Sequence, residues 1–109
     1  LASPIYLLGK YYLGVKPVKE GYKEFSIAPA LGGLKWMEGT VPTPNGDIQV
    51  YMDSKTIKVK ATEGKGYLTI RSRRQPKTTI GKMEKVSENT WRLWIDSPEE
   101  RVISYFNSI

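Results

Sequence analysis

Apolar and polar residues alternate along much of this chain, and a different, helix-like spacing is confined to its start. Four short runs show the alternation, and they cover residues 48–52, 57–61, 68–71 and 91–95. A period of two gives each run one apolar and one more polar face, as half-buried antiparallel strands have. Short strands at this spacing predict a sandwich or a barrel.

The segments between these runs are rich in residues that form tight turns. They are Pro44-Asn45-Gly46, Asp53-Ser54, Gly64-Lys65-Gly66, Ser87-Glu88-Asn89 and Ser97-Pro98. Gly and Asn adopt positive φ at little cost, and Pro interrupts a hydrogen-bonded ladder, so these segments separate strands. The pattern therefore predicts an all-β fold, most simply a two-sheet antiparallel sandwich.

The first residues instead show the signals of one short helix. Ser3-Pro4 suits a helix start, because Ser can cap free N–H groups and Pro fits the first helical position. Ile5, Leu8 and Tyr12 recur at helical spacing, and Gly14 is placed to end the helix in a left-handed conformation. We therefore expect an antiparallel β-sandwich preceded by one short N-terminal helix.

Several short motifs follow one another in order through the first half of the chain. They are Gly14-Val15-Lys16-Pro17, Glu20-Gly21-Tyr22, Ile27-Ala28-Pro29 and Leu34–Val50, which includes Trp36, Gly39 and Pro42-Thr43-Pro44. In this order and spacing they resemble the C-terminal β-domain of bacterial α-L-rhamnosidases, glycoside hydrolase family 78. The resemblance is strongest from Ile5 to Tyr51, and beyond it only the strand-rich character matches.

In that family the catalytic residues lie upstream, on an α/α barrel, and the β-domain follows. The resemblance thus implies that residues 1–17 are the last helix and exit turn of a barrel and that residues 18–109 are a C-terminal sandwich. It implies a non-catalytic accessory domain that packs on and stabilises the barrel of the same polypeptide. The parent would be an α-L-rhamnosidase-like hydrolase from a bacterium, periplasmic or extracellular, with the cytoplasm as the alternative.

Contact with such a barrel has five candidate residues: Tyr12, Trp36, Pro42, Thr43 and Pro44. Trp36 could bury a large side chain there. The two prolines make their segment stiff and extended, and they exclude it from a central strand because each removes a backbone donor. The alternative for this segment is a plain hairpin connection.

Composition excludes several kinds of chemistry. The chain has no cysteine and no histidine, so disulfides, thiolate metal sites, a Cys nucleophile and a Ser-His-Asp triad cannot form within it. Its 11 carboxylates fall mostly in predicted turns or on polar faces, so the pair that glycoside hydrolysis needs is not expected. No cofactor is expected, and no apolar run approaches the roughly 18 residues of a membrane span.

The net charge of +6 is concentrated in one region, residues 55–85. A basic face could be a solvated surface, or it could attract an acidic glycan. The alternative function is therefore a carbohydrate-binding module for an acidic or rhamnose-containing glycan, with candidate contacts at Trp94, Lys58, Lys60 and Arg71. Arg71 could continue the face of the two lysines. Nucleic acid is not an expected partner, because no recognition motif accompanies the charge.

Overall fold

The computed structural model describes residues 13–19 and 23–106. These residues form strands and connections without a helix, and so contain none that could cross a membrane. The strands are β1 (Val15–Pro17), β2 (Glu24–Ile27), β3 (Trp36–Thr43), β4 (Gly46–Asp53), β5 (Thr56–Ala61), β6 (Lys65–Arg71), β7 (Lys77–Thr78), β8 (Met83–Ser87), β9 (Thr90–Ile95) and β10 (Arg101–Ser104). The prediction of an all-β fold is confirmed.

The strands form two five-stranded sheets. Sheet A has the order β1-β2-β6-β9-β8, and sheet B has the order β3-β4-β5-β10-β7. After β2 the chain leaves sheet A, builds the antiparallel meander β3-β4-β5 in sheet B, and returns to sheet A at β6. Because of this excursion β2 and β6 run parallel, whereas the other described pairs are antiparallel. The sandwich is confirmed, with one parallel pair that alternation alone did not indicate.

A single layer of apolar side chains fills the space between the sheets. Its innermost members are no more than 1% exposed: Phe25, Ile27, Leu68, Ile70, Leu93 and Ile95 from sheet A, and Ile48, Val50, Ile57, Val59, Ala61 and Ile103 from sheet B. Burial of each large member contributes about 1.5–3 kcal/mol, set against the entropy lost on folding. The inward faces that the alternation predicted are confirmed in β4, β5, β6 and β9.

The turn prediction is wrong at Gly66. The sequence placed it in a turn at residues 64–66, but it lies inside β6 and pairs with Phe25 in the parallel ladder. A Cβ at Gly66 would collide with the carbonyl oxygen and the ring of Phe25. Glycine is needed here because the two backbones approach closely, not because the chain turns.

The predicted N-terminal helix lies outside the described residues, apart from its last residue, Leu13. Leu13 is 1% exposed and packs over Gly39 of β3, where a Cβ would lie 2.6 Å from Leu13 Cδ1. Gly14 has φ of +64°, the left-handed conformation expected of it. Val15–Pro17 pair with β2 as an edge strand, and the domain division at residues 17 and 18 stays a prediction.

A buried arginine fastens the connection between β9 and β10. Arg101 is 1% exposed, and its guanidinium donates to the carbonyl oxygens of Ser97 and Glu99, each at 2.8 Å. It also lies 3.5 Å from a carboxylate oxygen of Asp96. These bonds hold the loop that contains Glu100.

We expect the Gly66→Ala substitution to destabilise the chain by about 3 kcal/mol or more, since the parallel ladder must shift to admit the methyl group. The measurement is urea unfolding followed by tryptophan fluorescence. Gly33→Ala is the control: nothing lies within 4 Å of its Cβ position, although its φ of +96° adds strain, and it should cost about 1 kcal/mol. Equal losses in the two variants would contradict the close approach at Gly66.

Candidate functional site

The four residues proposed to contact a glycan lie on two different surfaces. Lys58 and Lys60 point outward from β5 in sheet B, whereas Arg71 and Trp94 point outward from β6 and β9 in sheet A. The outer faces of a sandwich point away from each other. The expectation that Arg71 continues the face of the two lysines is therefore wrong, because strand period fixes a residue's face but not its sheet.

On sheet A, Trp94 belongs to a compact aromatic and charged cluster. Its ring packs against Tyr67 with centroids 4.7 Å apart at an angle of 60°. The guanidinium of Arg92 lies 4.3 Å from the Tyr67 ring centroid and pairs with Glu84 at 2.5 Å. Trp94 is half-buried in this cluster, and its contact with a glycan stays a prediction.

The other two tryptophans have contrasting environments. Trp91 is half-buried against the core, as its alternation with Leu93 predicted, and its indole N–H donates to the carbonyl oxygen of Ser72 at 3.1 Å. Trp36 lies on the outer face of β3, at the edge of sheet B, and is 61% exposed. Leu34, two residues earlier, is 41% exposed. Leu34 and Trp36 form an exposed apolar strip, the β3 strip.

The remaining barrel-contact candidates fall in or next to the β3–β4 hairpin. Pro42 lies on the edge strand β3, which agrees with its exclusion from central strands. The Thr43 hydroxyl donates to the carbonyl oxygen of Gly46 at 2.6 Å and accepts the Asn45 N–H at 3.2 Å, so it fastens the turn. Pro44 is exposed at the tip of the hairpin. Tyr12 lies outside the described residues.

A depression of about 320 Å³ opens on the outer face of sheet B. It is lined by Glu38, Gly39 and Thr40 of β3, Gln49, Val50 and Tyr51 of β4, Lys58 of β5, and Glu100. Of the four candidate glycan contacts, Lys58 lines the depression. The hairpin turn at Asn45-Gly46, combined with the period of two, could have indicated the row Glu38–Tyr51–Lys58, which the strand register confirms.

Hydrogen bonds hold Tyr51 and Asp53 beside this depression. The Tyr51 hydroxyl donates to Asp53 Oδ2 at 2.8 Å, and Asp53 Oδ1 accepts the N–H groups of Lys55 and Thr56 at 2.8 and 2.7 Å. The ammonium of Lys58 lies 5.3 Å from the Tyr51 ring centroid, within the range of a cation–π contact. The Tyr51 side chain, which forms the aromatic wall of the depression, is therefore held by two contacts.

These contacts shift two pKa values in opposite directions. The hydrogen bond to Asp53 raises the pKa of Tyr51, with smaller contributions from burial and from the charges of Asp53 and Glu38. Desolvation alone would raise the pKa of Asp53. The hydrogen bonds from Lys55, Tyr51 and Thr56 and the nearby charge of Lys58 outweigh it, so this pKa is lowered. These contacts therefore favour the ionised form of Asp53.

Tyr105 connects this surface to the core. Its side chain is 5% exposed, and its hydroxyl donates to the backbone carbonyl oxygen of Asp53. Burial, with the added charge of Asp53, raises the pKa of Tyr105 to about 12. The neutral phenol is thus the form that the folded chain holds beneath the β4–β5 turn.

The side chains around the depression can form hydrogen bonds. In residues 13–19 and 23–106, no group of three His, Cys, Asp or Glu side chains comes together as a metal ion would require. What the depression presents is a set of hydrogen-bonding groups around a floor of sheet backbone.

Comparison with known proteins relates the chain to one family. Residues 14–62 match the family model of the bacterial α-L-rhamnosidase C-terminal domain. The fold is similar to that of a Streptomyces avermitilis α-L-rhamnosidase, solved in complex with L-rhamnose, with a TM-score of 0.77 and 14% identity. That similarity covers 89% of this chain and 10% of that chain, so this chain spans about a tenth of that protein. No curated protein matches the sequence.

The raised pKa of Tyr105 leads to a prediction for alkaline solution. A tyrosine has a pKa near 10 when unfolded, so the stability that its neutral form supplies is complete below pH 10 and is lost as pH rises through about 12. Tyr105→Phe should lower the unfolding free energy by about 1 kcal/mol at pH 7, through the lost hydrogen bond. Between pH 10 and 12 its stability should fall less steeply than that of the parent chain.

Urea unfolding at a series of pH values measures both effects. Lysines also titrate in this pH range, but they do so in both chains, so the difference between the chains reports on Tyr105. Parallel stability curves above pH 10 would show that Tyr105 titrates alike in the folded and unfolded states.

Proposed function

We propose, from the rhamnosidase C-terminal domain that residues 14–62 match, that this chain is a non-catalytic accessory domain. It packs on and stabilises the catalytic barrel of a bacterial α-L-rhamnosidase-like glycoside hydrolase. The parent enzyme removes terminal α-L-rhamnose, and this chain supplies no catalytic group. The observation that carries the proposal is the exposed β3 strip beside the buried Leu13.

The position of Leu13 supports docking at β3. Leu13, the first residue that the structure describes, packs over Gly39 of β3. Trp36 lies three residues from Gly39, roughly 10 Å along the strand. We propose that a barrel joined upstream of residue 13 docks against this exposed indole. Burial of such a side chain contributes on the order of 1.5–3 kcal/mol.

The carboxylates of the described residues support a non-catalytic role. Glycosidases place two carboxyl groups on either side of the scissile bond, one of them free to carry a proton. Here Asp53 is committed to a turn, Glu84 pairs with Arg92, and Asp96 lies beside Arg101. These three carboxylates are therefore engaged in structural contacts, and the assay below tests whether Glu38, which lines the depression, has a catalytic role.

The other proposed contacts follow from the same arrangement. The division into residues 1–17 and 18–109 stays a prediction, although Val15–Pro17 pair with β2 of sheet A. Tyr12, Pro42 and Pro44 join Trp36 in the proposed contact, whereas the hydrogen bonds of Thr43 support a role in the hairpin. The carbohydrate-binding alternative stays a prediction for the sheet A face, because Trp94 and Arg71 share it with Tyr67 and Arg92.

Trp36→Ala tests the docking proposal in the full-length parent enzyme. We expect it to lower the unfolding free energy of the parent by about 1.5–3 kcal/mol, with little change in the KM for an aryl α-L-rhamnoside. In the 109-residue chain alone the same substitution should change stability by less than about 0.5 kcal/mol, since Trp36 is 61% exposed there.

The matched control is Val86→Ala, because Val86 is 53% exposed on β8, an edge strand of the other sheet. It should leave both proteins unchanged. A parent whose stability is insensitive to Trp36→Ala but whose sugar affinity falls would place Trp36 at a ligand site instead.

A separate assay tests the lack of catalysis. The 109-residue chain, incubated with an aryl α-L-rhamnoside, should release no more aryl alcohol than buffer does, because the catalytic carboxylates are on the barrel. Hydrolysis that persists after repurification and is lost on Glu38→Gln substitution would refute this assignment.

A further inference from the structure

We propose that the depression on the outer face of sheet B binds one neutral pyranose ring of a glycan. This inference goes beyond the accessory role, since it assigns a ligand to a surface that the β3 strip does not include. It uses the side chains of Glu38, Gln49, Tyr51, Lys58 and Glu100.

The depression has the dimensions of a small-molecule site. Its volume of about 320 Å³ lies at the lower end of the range of about 300 to 1,000 Å³ that is typical of ligand pockets. Two cross-strand pairs of outward-pointing residues border its floor. They are Glu38 opposite Tyr51 and Thr40 opposite Gln49. Successive pairs of this kind are roughly 6.6 Å apart along the strands. Val50, which lies between them, points inward, so no outward side chain fills the floor.

The lining contains both hydrogen-bond donors and hydrogen-bond acceptors for sugar hydroxyls. Glu38 and Glu100 are acceptors, Lys58 is a donor, and the Gln49 amide is both. A hydroxyl donates and accepts at once, so adjacent hydroxyls on a pyranose ring suit a mixed set of this kind. An apolar ligand would leave these groups without partners, which is costly.

Charge decides between neutral and acidic sugars. The lining carries two carboxylates, Glu38 and Glu100, and one ammonium, Lys58, which gives a formal charge of −1. The charge of Lys58 also acts on Asp53, whose carboxylate it helps to keep ionised. A uronate or a sulfated ring would therefore meet unfavourable charge here, although the whole chain is basic.

Contacts that exist before any ligand arrives hold much of the lining in place. The hydrogen bond from Tyr51 to Asp53 and the cation–π contact with Lys58 fix the aromatic wall. The bonds of Arg101 to the Ser97 and Glu99 carbonyls fix the loop that carries Glu100. A site whose groups are already ordered loses less entropy on binding.

Chemical shift titration of the ¹⁵N-labelled 109-residue chain tests the proposal. The probes are neutral methyl pyranosides of the gluco, galacto, manno and 6-deoxy series, with galacturonate as the acidic comparison. We expect at least one neutral pyranoside to give saturable shifts at the amides of Gly39, Thr40 and Val50. Glu38→Gln and Lys58→Met should each weaken its binding by about tenfold, the loss expected for a charged hydrogen bond.

Lys60→Met is the matched control, because Lys60 is the next outward lysine on β5 but does not line the depression. It should leave the affinity unchanged, and thermal unfolding should show that all three variants remain folded. The proposal is overturned if no pyranoside shifts these amides, if galacturonate binds more tightly than the neutral sugars, or if the shifts map to Tyr67 and Trp94. Affinity that falls equally in all three variants would also overturn it.

These outcomes are independent of the accessory role. Docking on the barrel is measured by the stability of the Trp36→Ala parent. The sugar site is measured in the 109-residue chain through Glu38 and Lys58, which are not part of the β3 strip.

Discussion

The two sheets are held together by one shared layer of apolar side chains, and each long strand can give only every second residue to it. This constraint fixes much else in the molecule. The inward positions of β4, β5, β6 and β9 are almost fully buried, so their outward neighbours are left to contact solvent or partners. Both candidate surfaces, the aromatic cluster on sheet A and the depression on sheet B, consist of these outward residues.

The β4–β5 turn links the core to one of these surfaces. Tyr105 reaches from the core to the backbone of Asp53, and the carboxylate of the same residue orients Tyr51 on the outside. A disturbance of core packing near Tyr105 would therefore be transmitted to the wall of the depression. The two pKa values shift for different reasons. Burial, with the added charge of Asp53, raises the pKa of Tyr105, whereas hydrogen bonds and the charge of Lys58 lower the pKa of Asp53 against its desolvation.

Strand β3 combines the two proposed roles because its outward face serves both. Trp36 stands at one end of this face, Glu38 and Thr40 follow, and Pro42 stands near the hairpin. A barrel docked at Trp36 would leave the depression at the margin of the interface, where a sugar could contact both parts of an enzyme. Among the described strands β3 lies at the edge of sheet B, and Pro42 removes one of the backbone donors that pairing with another strand would use.

The sequence by itself determined the local features. A period of two predicted the strands and their buried faces, Pro42 predicted an edge position, and the motifs of residues 14–50 indicated the rhamnosidase C-terminal domain. Each of these depends on a residue and its close neighbours along the chain.

Tertiary structure alone decided which strands share a sheet. Lys58 and Arg71 both point outward, yet they lie on opposite surfaces, because alternation specifies a face and not a pairing partner. Gly66 lies within a strand rather than in a turn because of the approach of Phe25, which is 41 residues distant in sequence. Glu100 lies at the depression because the adjoining strand β10 pairs with β5 in sheet B, and no local pattern specifies such a pairing between distant strands.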